Sequence, residues 1–386
     1  MKRILLFGST GSIGRNVLDL VQSHPNKFEV ALLSCRRNAR LLVEQALQFN
    51  VGAVHLQDES QLDYVRESLP ATTSLFVGSG RYARLLAEVP ADLVVNAIVG
   101  AAGLELSYYS LKAGLNLALA NKESLVAGGE LLTMVKRQSG GEIIPIDSEH
   151  SAIWQCLRAG KHAEVEKIIL TASGGPFRNR DKKSLASVTI AEALNHPNWS
   201  MGKKITIDSA TMMNKGLEVI EAHFLFGLPP EQIDIVVHPE SIIHSLVQFV
   251  DGAQIAQLSP PDMRLPIAFA LSYPDRLTTT LPRTNLAQLG KLTFSAPDSG
   301  TFPCISLAYD ALRMGGTAPL VLNAANEIAV ESFLAERIRF SDIATVVEKM
   351  LTRTWPAAEL SLEVLQRIDR QVRIDTEELI RAQTVT

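Results

Sequence analysis

Cysteine is scarce in this chain of 386 residues: Cys35, Cys156 and Cys304 are its only three, far apart and without CxxC spacing. That argues against a disulfide framework or a cysteine-ligated zinc site, and it fits a reducing cytoplasm. No apolar run reaches the ~18 residues that a transmembrane helix needs. No charge of one sign dominates, and a net charge of −4 gives no electrostatic case for nucleic acid or an anionic membrane. No internal repeat or low-complexity segment stands out. No charged n-region, apolar h-region or cleavage site precedes MKRILLFGSTG, so no secretory signal is expected. What is present can build real cores: 46% of residues are hydrophobic and 20% charged. At ~150 residues per domain the length suggests two or three domains.

Residues 1–147 alternate strand-like and helix-like segments. The candidate strands are RILLFG, FEVALLS, VGAVHLQ, SLFVG, DLVVNAIV, NLALA and EIIPID. This alternation predicts an α/β fold with an N-terminal Rossmann-like parallel sheet covered by helices. The pattern changes in residues 148–272, where KIILTAS, KKITIDS, QIDIVVHP, SLVQFVDG and AQIAQLS read as strands. This part reads as an α+β domain with a partly antiparallel sheet, and Asp251–Gly252 as a hairpin turn. Residues 273–298, rich in Thr, Pro and Leu, read as a linker. Residues 299–386 read as a C-terminal helical bundle, with Ser341 before Asp342 as a candidate N-cap.

GSTGSIG places Gly8, Gly11 and Gly14 directly after the first strand and before RNVLDLVQS. A tight glycine turn at a helix N-terminus can cradle a pyrophosphate. The spacing is G-x-x-G-x-x-G, and an ordinary βα turn is the plain alternative. An NAD site usually ends its second strand in an acid. Here Ser34 is followed by Cys35, Arg36, Arg37 and Asn38. The guanidinium groups suit a ribose 2′-phosphate, so NADP(H) is expected over NAD(H), unless the arginines merely face solvent.

Asp147 ends EIIPID and Glu149 lies two residues on, where open α/β sheets bind ligands, and in extended backbone both would face one side. With Glu218 they would make three hard oxygen ligands, favouring Mg²⁺ or Mn²⁺ over Zn²⁺. The bland alternatives are a cap for HSAIWQCL and, for Glu218, a first-turn acid off the stripe of Leu217, Ile220 and Phe224. Ser173-Gly174-Gly175 lets backbone and a hydroxyl approach an anion. Ser209, Asn214 and Lys215 add the neutral and charged donors that a phosphomonoester wants. HPNWSMGKK at 196–204 reads as a lid carrying Trp199, or as a surface loop in which Trp199 packs. Metal, phosphate and nucleotide sites in one chain point to an enzyme acting on a phosphorylated small molecule.

Together these segments resemble the 1-deoxy-D-xylulose 5-phosphate reductoisomerase family. The matching strings are GSTGSIG (8–14), AIVGAAGL (97–104), LANKESLV (119–126), DSEHSAI (147–153), ASGGPFR (172–178), HPNWSMGKKITIDSATMMNKGLE (196–218), HPESIIHSLV (238–247) and LNAANEIAV (322–330). They span essentially the whole chain. The resemblance implies metal ligands at Asp147, Glu149 and Glu218. It implies substrate contacts at Ser148, Glu149, Ser173, His196, Ser209, Asn214, Lys215 and Glu218, with Trp199 and Met201 on a closing flap. Dinucleotide contacts fall on Thr10, Gly11, Ser12, Ile13, Arg37, Asn38, Asn121 and Gly202, with Lys122 and Glu123 nearby. Arg36 departs from the small residue expected there and is added to the 2′-phosphate site. The sequence does not choose among Lys122, Glu149 and His150 for proton transfer.

The implied reaction uses NADPH and Mg²⁺ or Mn²⁺. A 2-keto sugar phosphate is rearranged by retro-aldol cleavage and recombination, and then reduced to 2-C-methyl-D-erythritol 4-phosphate, an isoprenoid precursor. A cytoplasmic homodimer is implied, with the DG hairpin sheet as a candidate interface. A metal-free NADP-linked aldehyde or semialdehyde dehydrogenase and a non-catalytic NADP-binding sensor are the rival readings. Either would leave the three acids without a joint role.

Overall fold

The computed structural model describes residues 1–199, 201–356 and 360–384. Its contacts divide the chain into two compact units. The first holds Met1–Ser124, Leu131–Ser151 and Asp262–Thr280; the second holds Leu125–Glu130, Ala152–Pro261 and Leu281–Thr386.

In the first unit all seven expected strands form: β1 (Lys2–Phe7), β2 (Phe28–Cys35), β3 (Ala53–Leu56), β4 (Ser74–Val77), β5 (Leu93–Asn96), β6 (Asn116–Leu119) and β7 (Ile143–Pro145). They pair in parallel in the order β4-β3-β2-β1-β5-β6-β7. The strand order reverses at β1, which takes β2 on one side and β5 on the other. Ligands bind beyond the carboxyl ends of strands at such a switch point. The strands are continuous apolar runs, as doubly covered parallel sheets require; Ile4, Leu5, Leu6, Phe7, Leu32, Leu33, Val94 and Val95 are fully buried. Residues 262–280, which span the end of the expected middle domain and the start of the expected linker, pack with this unit. The helix Arg264–Ser272 lies on the helix Ser12–Ser23, and Lys2 Nζ donates to Leu271 O at 2.8 Å.

The second unit has a four-stranded sheet in the order β11-β10-β8-β9, from β8 (Val165–Ala172), β9 (Ile233–Val237), β10 (Ile243–Phe249) and β11 (Gln254–Leu258). β8 and β9 are parallel, and β10 is antiparallel to both β8 and β11, so the partly antiparallel expectation holds. The β10–β11 hairpin turns at Asp251–Gly252, with Gly252 at φ +84°. Ser295 pairs with Val237 through backbone hydrogen bonds of 2.9 and 3.0 Å, which pins the far end of the expected linker to β9. The C-terminal helices are Cys304–Met314, Ala318–Leu334, Asp342–Leu351 and Leu362–Thr384.

Two local expectations are corrected. KKITID is not a strand: Lys203–Ala210 is an α-helix. Thr206 N–H and its hydroxyl both donate to Gly202 O, at 3.1 and 2.9 Å, and Lys204 pairs with Asp208 at 2.8 Å, one helical turn apart. Ile207 and Ala210 then enter a core with Phe333, Phe340, Ile343 and Val346. Burial on one helical face overrides the period-two look of a short β-branched run. Ser341 makes no side-chain cap; Asp342 instead accepts from the Arg339 backbone N–H at 3.0 Å.

Candidate active site

The glycine turn after β1 is shaped by close approach. Gly8 sits at φ +83°, and a Cβ there would lie 2.4 Å from Ala97 O, just past β5. A Cβ on Gly14 would lie 2.3 Å from Gly8 O, so the third glycine lets the helix Ser12–Ser23 seat directly on the turn. Gly8 and Ser9 N–H donate to Ser34 O at 3.0 and 2.9 Å, tying the turn to β2. The helix opens from Gly11 with no side-chain cap and no acid in its first turn. Thr10 beside this helix start is half-exposed, and an uncapped helix N-terminus of this kind can meet an anion.

At the end of β2 the structure places Arg36, Arg37 and Asn38 at the surface. Burial pushes the neighbouring Cys35 thiol up to about 12, so it stays a thiol. Arg37 pairs with Asp58 at 3.3 Å. Asn38 caps the helix Ala39–Gln48 by accepting from Leu41 N–H at 3.2 Å. Asn121 is buried and committed to the protein. Its amide donates to Ile98 O and Gly100 O, each at 2.8 Å, and to Glu123 Oε2 at 3.1 Å. It therefore orders the loop after β5, which faces the glycine turn through Ala97.

The first unit also carries Asp147 and Glu149, but not in extended backbone. Asp147 leads into the helix Ser148–Cys156, its carbonyl accepting from Ser151 N–H at 2.8 Å. Glu149 stands in the first turn of that helix, and Ser148 Oγ donates to Glu149 Oε2 at 2.5 Å. The Asp147 carboxylate is ion-paired with buried Lys122. His150, fully buried, places Nδ1 4.0 Å from Asp147 Oδ2. The helix-capping position of Asp147 and its charge pairing coexist.

The second unit carries the residues expected to meet the phosphate. β8 ends in Ser173-Gly174-Gly175, with both glycines at positive φ, and a Cβ on Gly175 would meet Ser209 O at 2.5 Å. Only glycine lets this turn lie on the end of the helix that carries Ser209. His196 Nδ1 accepts from Asn198 and Trp199 N–H at 3.1 and 3.0 Å, so its proton is on Nε2, which donates to Ser173 Oγ at 3.1 Å. Gly175 N–H donates to the same oxygen at 3.2 Å. Ser173 Oγ is thus filled as an acceptor, and its own hydrogen is available for an anion. Burial, with the Arg178 charge second, lowers the His196 pKa and keeps the ring in the neutral form this network uses. Trp199 and Met201 are half-buried and Gly202 exposed; Ser200 of the expected lid lies outside the described residues.

The helix Met213–Phe226 begins after Met212 at φ +61°, a left-handed turn unusual for a non-glycine residue. Asn214 and Lys215 in its first turn both donate to the carboxylate of Glu218. Glu218 lies one turn further in and is 1% exposed. It is therefore a buried, partnered acid and not the first-turn acid of the bland reading.

Three features escaped the sequence. Asp208 is buried and held by Lys204 and by Asn326 Nδ2, each at 2.8 Å. The left-handed Met212 sets the turn between two helices. Arg178 reaches over the Gly174 turn. Only Arg178, inside ASGGPFR, carried a signal: a cation beside a candidate anion loop.

Comparison with known proteins gives concordant matches. The family described as 1-deoxy-D-xylulose 5-phosphate reductoisomerase matches residues 4–129, its C-terminal domain matches 143–226, and the DXP reductoisomerase C-terminal domain matches 258–375. The chain is 50% identical over 375 residues to the 1-deoxy-D-xylulose 5-phosphate reductoisomerase of Pelotomaculum thermopropionicum, covering 97% of each. It is 49% identical over 381 residues to that of Xanthomonas campestris pv. campestris, covering 98% of this chain and 96% of the relative. Among solved structures it is similar to the Zymomonas mobilis reductoisomerase in complex with NADPH, at 41% identity and TM-score 0.92, covering 98% of this chain and 99% of that one. A DOX-P reductoisomerase in complex with NADPH, fosmidomycin and magnesium is 40% identical with TM-score 0.93, covering 99% of this chain and 98% of that one.

Proposed function

Because the chain belongs to the 1-deoxy-D-xylulose 5-phosphate reductoisomerase family, we propose that it converts 1-deoxy-D-xylulose 5-phosphate to 2-C-methyl-D-erythritol 4-phosphate with NADPH and magnesium. The observation that carries this reading is that the likeness spans nearly the whole chain, glycine turn, acids and phosphate strings included.

The donors fit both groups. Asp147, Glu149 and Glu218 offer hard carboxylate oxygens with no thiol among them, the set that magnesium takes. When bound, the cation supplies Lewis acidity at the reacting oxygens of the substrate. The open helix N-terminus at Ser12 and the absence of an acid after β2 fit a dinucleotide with a 2′-phosphate. That cofactor supplies the hydride. The chain's own residues bind and orient. The Ser173 hydroxyl, aimed by His196 and Gly175, donates to the phosphate with Ser209, Asn214 and Lys215. Asn214 and Lys215 also hold Glu218, so one pair of donors serves both the phosphate and the metal ligand. Trp199 and Met201 cover the substrate and exclude water. Lys122 and His150 stand beside Asp147 and set its charge environment.

We assign the protein to the cytoplasm as a homodimer. The three cysteines are free and buried. Edge strand β11 exposes Ile255, and its hairpin exposes Val250, an apolar edge that suits pairing with a second copy. No described helix is long and apolar enough to cross a membrane.

Incubation with 1-deoxy-D-xylulose 5-phosphate, NADPH and Mg²⁺ tests the activity. The branched tetrol phosphate should accumulate by phosphorus NMR, one per NADPH oxidised. Reduction without carbon-skeleton rearrangement would contradict the proposal.

A further inference from the structure

We propose that Arg178 is a further specificity-determining residue for the phosphate end of the substrate: its guanidinium closes the open side of the Ser173-Gly174-Gly175 turn and pairs with the phosphate dianion. This rests on the phosphate reading of that turn.

The geometry begins at Gly174. At φ +80° its Cα faces the stem of Arg178, and a Cβ there would lie 2.9 Å from Arg178 Cβ and 3.1 Å from its Cδ. The aliphatic part of the arginine therefore lies across the middle residue of the turn. On one side of that residue is Ser173 Oγ, with its hydrogen free to donate; on the other is Gly175, seated against Ser209 O. The Arg178 charge, second to burial, lowers the pKa of His196, the ring bonded to Ser173.

The loop holding Arg178 is rigidly anchored. Phe177 is buried and packs edge-to-face on Phe340 at 5.2 Å. Arg180 N–H donates to Phe177 O at 2.8 Å. Two residues apart, the two arginines differ in use. Arg180 pairs with Glu192 at 2.6 Å and lies over the Phe177 ring at 4.9 Å. Arg178 is exposed and has no carboxylate partner among the described residues. A guanidinium on an anchored stem across the turn that carries the Ser173 hydroxyl is a fork for a phosphate, which planar guanidinium groups grip through two oxygens. Lys215 is engaged with Glu218, so an independent cation is what the neighbouring donor set lacks.

The test compares wild type with Arg178→Gln, Arg178→Lys and Ser173→Ala, all first checked for an unchanged melting temperature. KM for 1-deoxy-D-xylulose 5-phosphate, KM for NADPH and competitive inhibition by inorganic phosphate are read for each. Arg178→Gln should raise the substrate KM and the phosphate inhibition constant together by about tenfold, with KM for NADPH unchanged. Arg178→Lys should recover part of both, because it keeps charge but not the fork. The salt dependence of the substrate KM should be shallower in Arg178→Gln than in wild type. If Ser173→Ala weakens phosphate and substrate while both Arg178 variants stay within twofold of wild type, Arg178 is a solvated surface cation and the proposal is wrong. If Ser173→Ala also leaves both constants unchanged, the phosphate reading of the turn fails and takes this proposal with it.

Discussion

Lys215 and Glu218 form an ion pair in the interior of the second unit, with the side chains 4% and 1% exposed. A buried charge pair is rarely the most stable filling of a core, since both ions lose their water. The first unit repeats the arrangement with Lys122 and Asp147. Each proposed metal-ligand acid of this kind thus arrives with a cation of its own unit beside it. The lysine orients each carboxylate before any divalent cation takes up one of its oxygens.

Asp147→Asn, Glu149→Gln and Glu218→Gln should each lower turnover by about 100-fold or more, the several kcal/mol that a Lewis acid supplies to the reacting oxygens. NADPH affinity, measured by fluorescence titration, should stay within about twofold, because the cofactor cradle uses other residues. A variant with near-normal turnover at saturating Mg²⁺ removes that residue from the ligand set.

NADPH should be strongly preferred over NADH. Arg37→Ala should raise KM for NADPH about tenfold and leave KM for NADH nearly unchanged. Asp58→Asn should lower KM for NADPH, since Asp58 competes for Arg37 at 3.3 Å and an exposed pair of this kind contributes only about 0–1 kcal/mol. Equal catalytic efficiency with both cofactors in wild type would contradict the assignment.

Much of this was legible in residue order. The seven parallel strands, the glycine turn and the DG hairpin are local patterns, written in residues a few positions apart. The acids at 147, 149 and 218 were legible as chemistry, but their settings were not. KKITID looks like a strand until Ile207 and Ala210 are seen packing among helices more than 100 residues away in sequence. The lysine beside each acid follows from helix geometry for Lys215 and Glu218, and from the β6–β7 pairing for Lys122 and Asp147; only the first is visible in spacing. Ser341 shows the reverse failure. The local pattern was right for a cap, but Asp342 N–H donates to the Arg339 carbonyl and the Ser341 side chain caps nothing.

His55 gives a pH prediction. It is buried, with Nδ1 2.8 Å from Ser34 Oγ and Nε2 2.9 Å from Gly78 O. Burial lowers its pKa below the ordinary 6.5, with the Gly78 bond opposing. Unfolding therefore takes up a proton in the window between the two values. The stability contributed by the neutral ring is complete above the unfolded pKa and declines as pH falls toward the folded one. Urea unfolding of wild type should weaken from pH 7 downward through this window, and His55→Gln should show a shallower decline. Parallel curves for the two proteins would contradict a neutral, buried His55.

Trp199 should report ligand closure. Its backbone N–H donates to His196 Nδ1, and His196 Nε2 donates to Ser173 Oγ, so the Trp199 backbone is two hydrogen bonds from the hydroxyl that would meet the phosphate. Fosmidomycin should change tryptophan emission in wild type, and Trp199→Phe should abolish most of that change and weaken inhibition. Trp154 and Trp355 provide the residual signal. An unaltered change in Trp199→Phe would make the loop at 196–204 a packed surface loop.

The most direct measurement is one progress curve at 340 nm. Metal-stripped protein is mixed with NADPH and 1-deoxy-D-xylulose 5-phosphate, and Mg²⁺ is added after a baseline has been recorded. The expected trace is flat before the addition, falls at once after it, and stays flat throughout for Glu218→Gln. Steady NADPH consumption before Mg²⁺ arrives, unchanged afterwards, would contradict a metal-dependent rearrangement carried by these residues.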